Sequence, residues 1–242
     1  ERIDARLALR ADEHSAVVVD AGPLGEGGVA GRAKADALSF TLSVAGRQFL
    51  IDPGMGAYRG ADVPSDGCQG SALHNTLVPG REDKAPTAAR FLWPRRARAK
   101  RVEWVGAAAG AADRLLVEHD AYRHLPGKPV HRRCWQMDAR GACLMVRDEL
   151  LTSALQTVSL YWHFSEDCNV TCTPDGLIVS SGPIRLGMAL PEGGDVSVLH
   201  GSEQPLAGWV SRAYDVREPS TTVVWRGSVM DGEVLETVFR RL

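Results

Sequence analysis

The stretch Leu38-Ser-Phe-Thr-Leu-Ser-Val44 decides the fold of this chain. Apolar side chains alternate in it with serine and threonine, and this period of two is typical of a β-strand that buries one face. A helix would place its apolar residues three and four positions apart, which this stretch does not do. The sequence therefore predicts a strand here, with its apolar face against a core.

Shorter apolar runs recur along the rest of the chain, and turn residues separate them. The runs lie at residues 17–19, 49–51, 102–105, 115–117, 143–146, 158–164, 177–179, 196–199, 222–225 and 234–239. Short strands at this spacing are typical of a sandwich. We expect an all-β fold, a large antiparallel β-sandwich formed as a single domain over residues 1–242, with one short helix near residues 87–91.

Two Asp-Gly pairs mark tight turns between apolar runs. Asp175-Gly176 and Asp231-Gly232 are both predicted to be hairpins of a meander, because glycine supplies the positive φ that tight turns require. The stretches of small residues at 22–31 and 107–112 are predicted to be loops. Neither is a phosphate-binding loop, because no Lys-Ser/Thr pair or strand-to-helix pattern follows.

Composition and charge exclude several classes of protein. The 242 residues are 44% hydrophobic and 24% charged with a formal net charge of -2, so no overall positive field draws the chain to nucleic acid. No run approaches the roughly 20 apolar residues of a membrane helix. The sequence opens at Glu1 without a hydrophobic signal, so we expect a soluble chain that is a processed or truncated product. Basic clusters at residues 94–101 and 131–133 fit a solvated strand face better than a polysaccharide track.

The cysteines predict neither a disulfide framework nor a cysteine metal site. Their number is odd and their spacing is not that of a zinc ribbon. Most are predicted to be small buried apolar residues. A bond between two of them, Cys168 and Cys172, stays open at this point. The five positions are Cys68, Cys134, Cys143, Cys168 and Cys172.

Four motifs carry a resemblance to a known family. They are Asp20-Ala-Gly-Pro-Leu-Gly25, Ala35-Asp-Ala-Leu-Ser-Phe40, Asp52-Pro-Gly-Met-Gly-Ala-Tyr58 and His74-Asn-Thr-Leu-Val78. Weaker similarity continues as far as Gly208-Trp-Val-Ser-Arg212. Together the motifs resemble the C-terminal β-sandwich domain of heparinase II/III-like polysaccharide lyases over nearly the whole chain.

The resemblance implies a biological setting. Lyases of this kind are bacterial, are periplasmic or secreted, and cleave uronate-containing acidic polysaccharides such as glycosaminoglycans by β-elimination. Family members usually carry an N-terminal helical toroid, which supplies a catalytic tyrosine and forms the substrate cleft together with the sandwich. The implied partners are therefore an acidic polysaccharide and a helical toroid domain or chain, with no nucleic acid and no membrane span.

The positions that carry chemistry in the family have changed in this chain. Where the family has Gly-His-x-His, this sequence has Gly31-Arg32-Ala33-Lys34. In the family pattern the first histidine serves the reaction, and the second joins an aspartate and a later histidine around a structural zinc. The resemblance places Arg32 and Lys34 at these two histidine positions, and Asp52 and His74 at the remaining metal positions.

These replacements limit what the positions can do. Arg32 stays protonated near neutral pH, and Lys34 has no lone pair for a metal until it loses its proton. Asp52 and His74 alone fall short of the three or four protein ligands of a stable zinc site. We therefore expect no bound cofactor, and we expect Lys34 to pair directly with Asp52 in place of the ion.

The resemblance also assigns five positions to substrate binding. They are Arg32, Asp36, Gln69, His119 and Tyr122. The family tends to place arginines before its His-Asn-Thr motif, where this chain has Ser, Asp and Gln at positions 65, 66 and 69. Ligands for a carboxylate or a sulfate are lost there, which fits a scaffold kept after catalysis was relaxed.

Each of these positions has a structural alternative. Asp52-Pro-Gly54 fits a turn after a strand, and His74 fits a buried histidine bonded to a carbonyl; both are the stronger interpretations from sequence alone. Asp36 could brace its own loop. The segment His119-Asp-Ala-Tyr122 could face a cleft or only close a hairpin, and the sequence favours neither.

Three functions follow, in this order. The first is a lyase-family domain that has lost catalysis and binds uronate carboxylates. Arg32 would bind the carboxylate through bidentate hydrogen bonds, and Lys34 would act as a point charge. The second is a metal-independent lyase in which a desolvated Lys34 beside Arg32 acts as the base. The third is a structural domain in polysaccharide biosynthesis or export.

Overall fold

The computed structural model describes residues 6–10, 15–20, 37–54, 71–80, 99–106, 112–213 and 216–242. The predictions at residues 22–31 and 87–91, and most of the stretch 107–112, lie outside these ranges. Among the described residues no helix has the length and hydrophobicity needed to span a membrane.

The described residues form β-strands and one short 3-10 helix, η1, at Ser71–Leu73. The strands of the first half are β1 Arg6–Arg10, β2 Ala16–Asp20, β3 Phe40–Val44, β4 Arg47–Leu50, β5 Leu77–Pro79, β6 Ala99–Val105, β7 Asp113–His119, β8 Val130–Met137, β9 Cys143–Leu151 and β10 Gln156–Phe164. The strands of the second half are β11 Asn169–Thr173, β12 Gly176–Ser181, β13 Ile184–Ala189, β14 Asp195–His200, β15 Ser202–Glu203, β16 Leu206–Ala207, β17 Trp209–Val210, β18 Glu218–Pro219, β19 Thr221–Val229 and β20 Val234–Arg241.

Two antiparallel sheets dominate the described structure. The first sheet runs in the order β1-β2-β3-β4-β10-β19-β14, with β5 beside β10. The second sheet runs in the order β11-β12-β13-β20-β9-β8-β7-β6. Strands β15 with β16, and β17 with β18, form two small ribbons between β14 and β19. The predicted all-β, antiparallel sandwich is confirmed.

Aromatic rings from the two sheets meet in the core. Phe40 of the first sheet contacts Trp135 of the second with ring centroids 6.0 Å apart, and Trp162 contacts Phe239 at 5.6 Å. In β3 the side chains of Phe40, Leu42 and Val44 are buried while those between them are partly exposed. The alternation that predicted this strand therefore marks its core face.

One of the two predicted hairpins is wrong. Strands β11 and β12 pair as a hairpin, with Asp175 in the turn and Gly176, which has a φ of 133°, as the first residue of β12. Asp231-Gly232, in contrast, joins β19 of the first sheet to β20 of the second. The Asp231 carboxylate accepts a hydrogen bond of 2.9 Å from the Thr152 amide, in the connection from β9 to β10, which also crosses between the sheets. A short turn signal does not show which sheet the next strand joins.

The described cysteines are free thiols. Cys168, which is buried, and Cys172, which is exposed, are both free, so no disulfide joins them. Burial raises the pKa of the Cys168 thiol to about 12, which keeps it protonated and unreactive. Cys134 is also buried, whereas Cys143 is partly exposed, so two of the four described cysteines have the burial that was predicted for most of the five.

Candidate functional site

Asp52 and His74, the two predicted metal positions in the described structure, lie together. Asp52 follows the end of β4, and its Oδ1 accepts a 3.0 Å hydrogen bond from the Gly54 amide, as the turn interpretation predicts. His74 follows η1, and its Nδ1 lies 3.6 Å from Asp52 Oδ2. The His74 side chain is 5% exposed and that of Asp52 is 38% exposed. The pair therefore lies at the protein surface, with His74 on the buried side and Asp52 in contact with solvent.

The described residues do not supply a full ligand set for zinc. No group of three or more His, Cys, Asp or Glu side chains converges within them, and a stable zinc site uses three or four protein ligands. Asp52 and His74 alone provide two donor groups. The expected absence of a metal stays a prediction.

Asn75 fills a gap along the edge of β10. Strand β5 pairs with β10 at residues 158–160, and β4 pairs with it only at Phe164. Between these two strands the Asn75 Oδ1 accepts a 2.6 Å hydrogen bond from the His163 amide. Its Nδ2 donates to the carbonyls of Phe40 and Ile51 at 2.7 and 2.9 Å. The middle residue of the His-Asn-Thr motif thus connects β3, β4 and β10 beside His74.

Thr76 and the Asn75 backbone fix the same segment to the start of β3. The Thr76 hydroxyl donates a 3.1 Å hydrogen bond to the Ala37 carbonyl. The Asn75 amide donates a 3.1 Å hydrogen bond to the Ser39 hydroxyl. Both Asn75 and Thr76 are fully buried. The last two residues of the motif therefore hold the fold, and only His74 reaches toward Asp52.

His163 is a residue of this region that the sequence analysis did not select. Its Nε2 lies 3.1 Å from the Ala72 carbonyl and its Nδ1 lies 3.0 Å from the Thr222 hydroxyl. Burial, reinforced by the nearby His74, lowers the pKa of His163 to about 3. His163 is therefore neutral and donates to the Ala72 carbonyl, two residues before His74. A polar residue inside the apolar run 158–164 was the available signal.

The segment from Trp209 to Ala213 closes over the Asp52 turn. The Ser211 amide donates a 2.8 Å hydrogen bond to the Pro53 carbonyl. Gly54 has a φ of 79°, and a Cβ built on it would lie 2.5 Å from the Ser211 carbonyl oxygen. Arg212 forms a two-pronged ion pair with Glu166, at 2.8 Å for each bond. The turn that carries Asp52 therefore has glycine at the point of closest approach.

We expect Gly54→Ala to destabilise the chain more than Gly46→Ala. Both glycines have a positive φ, 79° and 75°, but a Cβ at position 46 would meet no atom within 4 Å. The backbone penalty is common to both variants, so their difference isolates the contact with Ser211, which we expect to cost about 1–3 kcal/mol. Urea unfolding of the two variants measures this difference, and equal losses would contradict it.

His119 and Tyr122, predicted to bind substrate, lie in the interior. Their exposed fractions are 1% and 3%. The Tyr122 hydroxyl donates a 2.8 Å hydrogen bond to the Leu77 carbonyl, and His119 Nδ1 accepts one of 3.2 Å from the Ala121 amide. The geometry favours the alternative in which this segment closes the connection between β7 and β8. Contact with a substrate stays a prediction for both residues.

Four buried polar residues, His119, His131, Asp148 and Arg133, are joined by hydrogen bonds across the second sheet and form a buried polar network. Since the Ala121 amide donates to its Nδ1, neutral His119 donates from Nε2 to His131 Nδ1, 3.1 Å away. His131 then donates from Nε2 to Asp148 Oδ1 at 2.6 Å. Arg133 Nε and Nη2 donate to the two oxygens of Asp148 at 2.7 and 2.9 Å.

The interpretation of residues 131–133 as a solvated charged face is wrong for two of its three members. His131 and Arg133 are fully buried. Only Arg132 lies at the surface, where it pairs with Glu118 and Glu149. Successive residues of a strand point to opposite faces, so a run of basic residues in β8 is divided between the interior and the solvent.

Burial and the neighbouring charges together set the ionisation states of the buried polar network. Burial lowers the pKa of both His119 and His131, and the charge on Arg133 lowers both further. Burial alone would raise the pKa of Asp148, but Arg133 and the hydrogen bond from His131 outweigh it, and the pKa lies below its ordinary value. The buried polar network therefore contains two neutral histidines, His119 and His131, and one ion pair between Arg133 and Asp148.

We expect stability to fall with acid below about pH 6.5, the ordinary pKa of histidine in an unfolded chain. The folded-state pKa values of His119, His131 and His163 lie below it, mainly because of burial. The unfolded chain then binds more protons, and each such histidine removes about 1.4 kcal/mol of stability per pH unit until its folded-state pKa is reached. Urea unfolding at pH 7.5 and at pH 5 (about 1.5 units below the histidine value) tests this. Equal or greater stability in acid would contradict it.

Four predicted site residues lie outside the described part of the chain. They are Arg32, Lys34, Asp36 and Gln69. Their roles, and the predicted pairing of Lys34 with Asp52, therefore stay predictions.

Comparisons with known proteins agree on one family and one fold. The family model described as heparinase II/III-like, C-terminal, matches residues 6–236. The heparan sulfate lyase HepC from Pedobacter heparinus has a TM-score of 0.74 and 17% identity, covering 98% of this chain and 35% of the lyase. A heparinase III gene product has a TM-score of 0.69 and 19% identity, covering 100% of this chain and 35% of that protein. No curated protein matches in sequence.

The solved structures are also much longer than this chain. A heparinase III crystal structure has a TM-score of 0.68 and 16% identity, and 94% of this chain covers 33% of it. The chain thus spans about a third of the length of the lyases that it matches. At these identities the structural likeness shows the fold alone.

Proposed function

The chain belongs to the heparinase II/III-like family as its C-terminal domain, and from this we propose that it binds a uronate-containing acidic polysaccharide without cleaving it. The binding surface of this proposal includes Arg32 and Lys34 in sequence, and the Asp52 and His74 pair in structure. Heparan sulfate and related glycosaminoglycans are the first polymers to test, because a structural neighbour is a heparan sulfate lyase.

The observation that carries the proposal is the contrast between a kept framework and replaced reactive groups. Asn75 and Thr76 of the His-Asn-Thr motif make the buried hydrogen bonds that hold His74 beside Asp52. The two histidines of the family pattern are Arg32 and Lys34 here. A site that has these supporting bonds, and that has cations where the family pattern has one reactive and one metal-binding histidine, suits binding of an anion better than catalysis.

Cleavage by β-elimination requires three chemical functions from the protein. A base must remove the C5 proton of the uronate, the carboxylate charge must be neutralised, and an acid must protonate the leaving oxygen. Arg32 stays protonated and cannot serve as the base near neutral pH. Arg32 and Lys34 can still neutralise a carboxylate, Arg32 by two parallel hydrogen bonds and Lys34 as a point charge. The chain thus keeps the binding half of the reaction.

Binding should depend on the two cations. We expect Arg32→Ala and Lys34→Ala each to weaken binding of heparan sulfate by about 10–100-fold, since a hydrogen bond to a charged group contributes about 1.5–3 kcal/mol. Arg140→Ala, which removes an exposed arginine from the turn between β8 and β9, serves as the matched control. Calorimetric titration with heparin, heparan sulfate, hyaluronan and alginate measures the effect.

The outcomes of the titration separate the proposed functions. Tight binding that Arg140→Ala leaves unchanged and Arg32→Ala or Lys34→Ala weakens would support the proposal. Binding that falls equally in all three variants would show a nonspecific charge effect and contradict the assigned positions. No binding to any of the polymers would overturn the proposal and favour the structural role in polysaccharide biosynthesis or export.

A further inference from the structure

We propose that Arg133 and Asp148, on the second sheet, are positioning residues for the candidate site on the first sheet. They act through the backbone carbonyls of Leu38 and Asn75, which fix the segment from His74 to Thr76. This inference rests on the proposed function, because the site that is positioned is the one proposed to bind uronate. Its structural part can be tested without any polysaccharide.

Arg133 reaches from β8 across the core to the gap that Asn75 fills. Its Nη1 donates to the Leu38 carbonyl at 2.9 Å and to the Asn75 carbonyl at 2.6 Å. The same guanidinium holds both oxygens of Asp148 through Nε and Nη2. A planar group with its donors in a fixed fork can make all four bonds at once, which a lysine ammonium cannot. Arg133 therefore connects the two sheets at the base of the site.

Leu38 shows that the contact restrains the backbone. Leu38 has a φ of 58°, in the left-handed region that residues with a Cβ rarely adopt. Its side chain is fully buried, and its carbonyl accepts the bond from Arg133. A conformation of this kind persists only where its surroundings hold it. Arg133 supplies one of those restraints, at the point where the chain enters β3.

The environment of Arg133 fixes the guanidinium itself. Its Cζ lies 5.6 Å from the ring centroid of Phe40, 5.9 Å from that of Trp135 and 5.5 Å from that of Trp162. The face of an aromatic ring attracts a guanidinium at these distances, so the three rings help to hold the group in place. The carboxylate of Asp148 is held in turn by His131. The position of the Asn75 carbonyl is therefore set from the second sheet, and His74 is the residue immediately before it.

The test replaces Arg133 by lysine and compares it with the neighbouring Arg132→Lys. Lysine keeps the positive charge beside Asp148 but cannot also reach the carbonyls of Leu38 and Asn75. We expect Arg133→Lys to shift the NMR signals of the His74 ring and to speed amide exchange at Asn75 and Thr76 by about tenfold or more. Arg132→Lys, on the solvent side of β8, should change neither. Unshifted His74 signals in Arg133→Lys would overturn the inference.

A second variant separates positioning from a general loss of stability. His119→Gln alters the end of the buried polar network that is farthest from Arg133, where His119 bonds to His131 and the Ala121 amide. We expect this variant to lower the unfolding midpoint while it leaves the His74 signals in place. If His119→Gln shifts those signals as far as Arg133→Lys does, the effect reports stability alone and the positioning role is wrong.

The unaltered chain provides a test even if Arg133→Lys does not fold. In amide exchange at increasing denaturant, we expect Leu38, Asn75 and Thr76 to open together with β8 and β9, because Arg133 joins them. Opening of these three amides at low denaturant, while β8 and β9 stay closed, would contradict the inference.

Polysaccharide binding then tests the functional consequence. We expect Arg133→Lys to weaken binding of heparan sulfate by about tenfold, with Arg132→Lys unchanged. Shifted His74 signals with unchanged affinity would overturn the link to binding. If the unaltered chain binds no uronate polymer, the proposed function fails, while the His74 signals and the amide exchange still decide the positioning role.

Discussion

Replacing Asp148 by alanine is expected to lower the free energy of unfolding by about 3–5 kcal/mol, because removal of one partner leaves a buried charge unpaired. Asp148 and Arg133 are both fully buried. The change also removes the acceptor of the hydrogen bond from His131. Since small domains are stable by only about 5–15 kcal/mol, the variant is expected to lose much of its stability.

The adjacent residue of the same strand provides the control for this prediction. Arg147 pairs with Glu236 at 2.8 Å, and the two side chains are 45% and 42% exposed. Exposed pairs of this kind contribute about 0.2–1 kcal/mol, so Arg147→Ala should have a small effect. Urea unfolding followed by tryptophan fluorescence compares the variants. If Asp148→Ala costs no more than Arg147→Ala, the buried ion pair does not stabilise the sandwich.

Replacing Asn75 by alanine is expected to cost about 3–5 kcal/mol, since three buried hydrogen bonds are lost and each unsatisfied partner costs about 1–3 kcal/mol, without full additivity. The partners left behind are the carbonyls of Phe40 and Ile51 and the amide of His163. All three lie where β3, β4 and β10 meet. The loss should therefore loosen the edge of β10 as well as the His74 segment.

Two further variants show whether hydrogen bonding or volume causes this loss. Asn75→Asp keeps the size of the side chain but has no donor for the two carbonyls, so we expect it to be at least as destabilising as Asn75→Ala. Asn169→Ala, at an exposed position of β11, should change stability by less than about 0.5 kcal/mol. A well-tolerated Asn75→Asp would show that the side chain fills space and does not connect strands.

Local sequence patterns predict eleven of the twenty strands that the structure describes. The alternation in residues 38–44 gave the core face of β3 directly, and the apolar runs at residues 158–164 and 234–239 correspond to β10 and β20. The longest of the strands not predicted is β8, because three consecutive basic residues interrupt its pattern. Periodicity reports the burial of a residue type, and it fails where a strand buries charge.

The buried polar network of His119, His131, Arg133 and Asp148 could not be predicted, because the groups that surround it are distant in sequence. Arg133 is buried only because Asp148 and the carbonyls of Leu38 and Asn75 surround it, 15, 95 and 58 residues away along the chain. The prediction of a hairpin at Asp231-Gly232 was wrong for a related reason. The sheet that β20 joins depends on its pairing with strands that are distant in sequence, which a local turn signal does not show. The family motif did place Asp52 near His74, which no periodicity could have shown.

Ultraviolet absorbance of unsaturated uronate, recorded while the chain is incubated with the uronate polymer that it binds best, tests the central claim most directly. Elimination creates this chromophore and binding alone does not. The account predicts a flat trace, because Arg32 and Lys34 replace the histidines of the family pattern. A rising trace that persists with a chelator and is abolished in Lys34→Ala would contradict it, and would identify the chain as a metal-independent lyase.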